Sequence, residues 1–188
     1  MNIMMFCTEE EVVEAAKTAT LLVGVHPASQ HSDAEVSKET KFPGVEAYLY
    51  FMYGSFAVHV TNKMITEMNL SQDTAWEKAI QSTVKNAKWQ HMFPPLNILT
   101  NERCLYGAGI LIDADSILCE FAKKNDANQL VVIPSSKHEV LVMTLPSNNL
   151  ADMTKIVREV NEEAVEEKDR LADTAYLYDC NSGEVTVL

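Results

Sequence analysis

Three times along this chain, two short apolar runs parted by a turn are followed by a stretch with helical periodicity. The paired runs are 46–53 with 56–60, 97–100 with 105–112, and 130–133 with 139–144. The helical stretches are 72–88, 115–124 and 150–163, and a hairpin of 175–178 with 185–188 follows, with Gly183 suited to a left-handed turn position. Runs joined by tight turns pair antiparallel, because a parallel pair needs a crossover of a dozen or more residues. Helices with a single apolar stripe then bury it against the sheet. The expected fold is α+β: a mainly antiparallel sheet built from repeated strand-strand-helix units, with the helices packed on it.

Local signals place the element ends. Thr8 and Glu11 have the spacing of a capping box and open a helix over 9–19, with Val12, Val13, Ala16 and Ala19 on one side. A short strand follows at 20–25. The stretch 26–43 carries two prolines, several serines and no periodicity, and is expected to be a long, disordered loop. This divides the chain into an N-terminal part, 1–44, and an α+β domain, 45–188. Thr61 caps a short helix bearing Met64, Ile65 and Met68. Ser71 caps a longer one whose stripe is Ala75, Trp76, Ala79, Ile80, Val84 and Ala87. Asp115 is expected to cap the third, with Ile117, Leu118, Phe121 and Ala122 inward. Asn149 and Asp152 are expected to cap the fourth, with Leu150, Met153, Val157 and Val160 inward. Gly107-Ala-Gly109 falls in a predicted strand and reads as a bulge or a close backbone approach. Met4, Met5 and Phe6 are placed to staple against Val12.

Composition limits the function. The 188 residues carry 15 basic and 27 acidic side chains, a net charge of −12. Binding to nucleic acid needs lysine and arginine to displace counterions from phosphate, and an anionic membrane surface makes the same demand. Neither partner is expected. Mimicry of nucleic acid by carboxylates is a rarer use of such a charge. The four cysteines form no CxxC pair, and nothing in the chain suggests an oxidising compartment, so free thiols in a cytoplasmic protein are expected. No apolar run approaches the ~20 residues that span a bilayer. His26, His31, His59, His91 and His138 show no ligand spacing, and no phosphate loop is present, so no metal or cofactor is expected.

The sharpest chemical candidate is Ser135, Ser136, His138 and Glu139, within Gln129–Thr144, QLVVIPSSKHEVLVMT. In an extended strand, residues i and i+2 share a face, which makes Ser136 and His138 neighbours and turns Glu139 away. A hydrolase would use Ser136 as nucleophile and His138 as base. The opposing expectation is that the serines satisfy open backbone groups of the turn, that Pro134 ends the first strand, and that no catalytic constellation forms.

The same segment, with Ile156-Val-Arg-Glu-Val-Asn161 and the later Leu171-Ala-Asp173 and Tyr176-Leu-Tyr178, resembles the domain of unknown function 5688 family of Firmicutes. Val60-Thr-Asn62 and Leu99-Thr-Asn101 resemble further family pieces, and Ala172 stands where the family would have serine. The resemblance covers roughly 45–188. It implies a bacterial α+β lineage and carries no activity with it. The expected function is a non-enzymatic interaction or regulatory domain with a protein partner; the alternatives are the Ser136/His138 hydrolase and the acidic mimic.

Overall fold

The computed structural model describes residues 8–33, 35–92, 95–144, 150 and 153–188. The Thr8 capping box forms as expected and opens α1 (Glu9–Thr18). Four strands follow: β1 (Leu22–Pro27), β2 (Ser37–Glu39), β3 (Val45–Tyr53) and β4 (Phe56–His59). β3 is their centre, with β1 antiparallel along one edge and β2 and β4 sharing the other. Strand alternation sends Val45, Ala47, Leu49 and Phe51 into the core. Glu46, Tyr48 and Tyr50 take the other face, opposite His26, Gly24 and Leu22 in the register. Thr61 and Ser71 accept backbone N–H bonds at the starts of α2 (Asn62–Glu67) and α3 (Gln72–Lys85), the orphan donors of a first turn.

The second sheet has six strands, all antiparallel. They are β5 (Ala87–His91), β6 (Leu96–Asn101), β7 (Gln129–Ile133), β8 (Val140–Thr144), β9 (Tyr176–Asp179) and β10 (Val185–Val187), ordered β10-β9-β7-β8-β6-β5. From Leu130 to Ile133 β7 is apolar, and both its faces there are buried. Leu130 and Val132 join the main core beneath α4 (Ala114–Lys124). Val131 and Ile133 pack under Val157 of α5 (Met153–Ala164). One continuous core therefore links the two sheets, and α5 closes a smaller one on the far face.

The structure corrects several sequence expectations. There are two antiparallel sheets rather than one, and the strand-strand-helix order does not produce repeated units. The second unit loses a strand: 105–112 is a turn followed by a 3-10 segment, Gly107–Asp113. A Cβ on Gly109 would stand 1.8 Å from the Val23 carbonyl oxygen, and one on Gly107 would stand 2.5 Å from that of His138. This segment is wedged against backbone on two sides, so its apolar residues report burial and not extension. β6 pairs instead with β5 and β8. α3 ends at Lys85, where Asn86 Nδ2 bonds back to the Ser82 carbonyl, and β5 occupies residues assigned to helix or left unassigned. Within 26–43, β2 and a short 3-10 turn (Ala28–Gln30) form, and Val36 and Phe42 are buried.

Asp115 does not cap α4; Asp113 holds the N-cap position, and the Asp115 carboxylate takes bonds from Lys41 and Tyr178. Val160 is exposed, and Asn161 fills the buried position instead, donating to the Ala172 carbonyl and to Asp173 Oδ1. Cys104, Cys119 and Cys180 are free thiols. Cys7, the Met4–Phe6 staple and the Asn149/Asp152 cap lie outside the described residues.

Candidate functional site

The turn from β7 to β8 is anchored by its main chain. The Pro134 and Ser135 carbonyls accept from the Ala172 and Leu171 amides at 3.0 Å, and the Lys137 amide donates to the Asp169 carbonyl at 2.9 Å. Ser136 is buried, and its hydroxyl accepts from the His138 amide at 3.1 Å, a local bond that holds the turn. The Ser135 hydroxyl makes no hydrogen bond among the described residues, and half-buried Glu139 pairs with neither serine nor histidine. His138 Nδ1 accepts the Tyr106 backbone N–H at 3.1 Å. A backbone amide only donates, so the ring proton belongs on Nε2, which lies 3.3 Å from Asp169 Oδ1. Both ring nitrogens are engaged, and no serine hydroxyl reaches either. The residues singled out in the sequence are close in the chain but are not brought together as nucleophile, base and orienter.

What His138 holds is the loop 101–106. Its carbonyl accepts from Thr100 Oγ1 at 2.8 Å and from the Gly107 amide at 3.0 Å. Asn101 ties the loop across itself, donating to the Leu105 carbonyl at 2.6 Å and accepting from the Arg103 amide at 3.0 Å. Cys104 and Tyr106 take left-handed φ values of 52° and 56°. Such angles are costly for side chains other than glycine, and two in three residues mark a loop held against its own preference.

This loop forms one wall of a cleft of about 440 Å³ against the first sheet. Tyr50 and Met52 of β3, Leu22 of β1, and Arg103, Leu105 and Tyr106 of the loop line it. The Tyr50 and Tyr106 rings lie 5.2 Å apart, and Tyr106 meets His138 edge-on at 5.4 Å. Burial, with the neighbouring Tyr106 phenol, pushes the Tyr50 phenol up to about 12, so it remains a neutral donor at working pH.

A second group on the same sheet face was invisible in the sequence. His26, His31 and His59 gather around Glu35 and Glu46. His31 Nδ1 contacts both Glu46 oxygens at 2.9 Å, and His59 Nδ1 lies 2.6 Å from Glu35 Oε1. Buried His26 gives its Nδ1 to the Pro27 carbonyl and points Nε2 at Glu35 Oε2, 3.5 Å away. The Tyr48 ring stacks between His26 and His59 at centroid distances of 5.2 and 4.2 Å, crossing a space that any Cβ on Gly24 would fill. The hydrogen bond with Glu46 raises the His31 pKa above its ordinary value. The sequence signal was present only as register: His26 and Glu46 face each other across β1 and β3. Among the described residues, no three such side chains converge as a metal site requires.

The model of a family of unknown function, DUF5688, matches residues 83–180, just over half of the chain. The chain belongs to this family. The match is narrower than the span 45–188 suggested by the resemblance. In DUF5688 terms it runs from the end of α3 through β9 and includes Arg103, Tyr106, Ser136, His138 and Asp169. Tyr50 and the histidine group on the first sheet lie outside it. No curated protein and no solved structure matches the chain. Among the described residues, no helix is long and apolar enough to cross a membrane.

Proposed function

We infer that this chain is a non-catalytic interaction domain and that it binds through the cleft between the first sheet and the loop 101–106. The observation that supports this reading is the loop itself. Its two left-handed residues are kept in place by His138, Asn101 and the turn behind them, an arrangement whose visible product is the cleft wall. Strain of this kind clusters at active sites, ligand clamps and switch regions. The His138 ring serves that support, with one nitrogen on the Tyr106 amide and the other toward Asp169, and is not poised to take a proton from Ser136.

The test pairs binding with turnover on the full chain. A fragment library followed by amide spectra should give hits that shift Arg103, Leu105, Tyr106 and Leu22, with no hydrolysis of ester or peptide substrates. Hydrolysis that disappears in Ser136→Ala while the fold persists would replace this reading with the Ser136/His138 hydrolase. Hits confined to other surfaces would also overturn it.

A further inference from the structure

Tyr50 is 3% exposed and lines the cleft, and its hydroxyl makes no hydrogen bond among the described residues. Among the described residues, the sealed polar atoms without partners are His26 Nε2, Glu35 Oε2 and Asn161 Oδ1, and the Tyr50 hydroxyl is not one of them. A polar group at a cleft wall, with no hydrogen bond among the described residues, is placed to be satisfied by whatever enters. Arg103 stands on the facing wall, and its side chain has no ion pair among the described residues. Its charge acts on the Tyr50 phenol, partly offsetting the effect of burial. Leu22, Met52, Leu105 and the Tyr106 ring form the apolar part of the lining, and polar residues including Asn86 and Glu102 complete it.

Resting on the cleft as the binding site, we propose that it takes a small carboxylate-bearing molecule with an apolar body, the carboxylate set between the Tyr50 hydroxyl and the Arg103 guanidinium. The two donors suit the two oxygens of a carboxylate, and the guanidinium fork matches its plane. A phosphate dianion presents more oxygens than these two donors match. Glu102 on the same wall and the net charge of −12 oppose any anion, a dianion more strongly than a monoanion. The apolar body lies against Leu22, Met52 and Leu105, with a planar group stacking on Tyr106. The cleft volume is in the range of small-molecule sites.

The experiment titrates the full chain with 3-phenylpropionate, with the isosteric amide 3-phenylpropionamide, and with inorganic phosphate, following amide shifts of 101–106. The acid is expected to bind about tenfold or more tightly than the amide, as the loss of one charge-assisted hydrogen bond predicts. Tyr50→Phe keeps the ring and its packing, and should weaken the acid by a similar factor. Arg103→Gln should bring acid and amide together, with parent-like backbone amide spectra away from 101–106 showing that the variant is folded. Equal binding of acid and amide, parent-like affinity of the acid in both variants, or phosphate binding as tightly as the acid would overturn the carboxylate proposal and leave the cleft as a binding site. If neither aromatic probe shifts any amide of 101–106, the binding reading falls as well.

Discussion

At the scale of single residues, short-range hydrogen bonds decide what the turn before β8 does. Ser136→Ala removes the acceptor for the His138 amide and should lower stability by about 1 kcal/mol, read from urea denaturation. A loss near zero would mean that the hydroxyl does not hold the turn. His31 gives a second test. Its bond to Glu46 raises its pKa, so the pair stabilises the fold below the ordinary value of 6.5 and that contribution is lost as pH rises through the raised one. Ring resonances of His31 should titrate above 6.5, and Glu46→Gln should bring the midpoint down; an unchanged midpoint would remove Glu46 as the cause. These two residues differ in how visible they were. The Ser136 bond spans two positions and follows from turn chemistry, whereas the Tyr106 amide that engages His138 lies 32 positions away and leaves no local trace. The Glu46 partner of His31 was hidden for the same reason.

At the scale of elements, pattern was a good guide wherever one face is buried and one is free. The stripe of α3 emerged in its first part, with Ala75, Trp76 and Ala79 buried and Ile80 and Val84 half-buried, while Ala87 falls in β5. The antiparallel pairing of 130–133 with 139–144 was also legible, because both runs are short, apolar and separated by a proline-led turn. Pattern failed where burial is complete. The 107–113 segment is buried over Gly107–Leu111 and has no face to alternate, so its apolar residues resembled a strand. The two glycines were the usable signal, and their role as points of close approach was the correct half of that reading. Gly109→Ala tests it: the new methyl would enter the Val23 carbonyl, and overpacking against backbone should cost about 1–3 kcal/mol or more. A variant melting like the parent would show that the segment is free to shift. β5 was missed because Asn86 ends α3 with no glycine or proline to announce it.

At the scale of the whole molecule, distant parts of the chain meet at Asp115. Its carboxylate is shared by Lys41, from the loop between β2 and β3, and Tyr178 of β9, while α4 carries it. The Lys41 bond first, and then the Tyr178 bond, hold its pKa below the ordinary 3.8. A depressed carboxylate contributes stability above the unfolded value and loses it as pH falls through the folded one. The Tm difference between the parent and Asp115→Asn should therefore be full at about pH 5–7 and shrink below about pH 4. A difference independent of pH would show that packing, not charge, explains it. The site is half-exposed, so solvent screening keeps the effect modest.

The clamp on the loop 101–106 also has a consequence in time. The Gly107 and Ala108 amides end on the carbonyls of His138 and Lys137, so they are released only when the turn before β8 opens. The Arg103 amide, a few residues earlier, is held by the Asn101 side chain alone and lies at an exposed position. Deuterium should therefore enter this wall in two steps. Residues 103–105 should exchange within the fast fluctuations of a surface loop, and 107–108 at the pace of the central strands. The wall then keeps a yielding lip over an immobile base, and a guest molecule would be admitted by motion of a few residues while the two sheets stay in register.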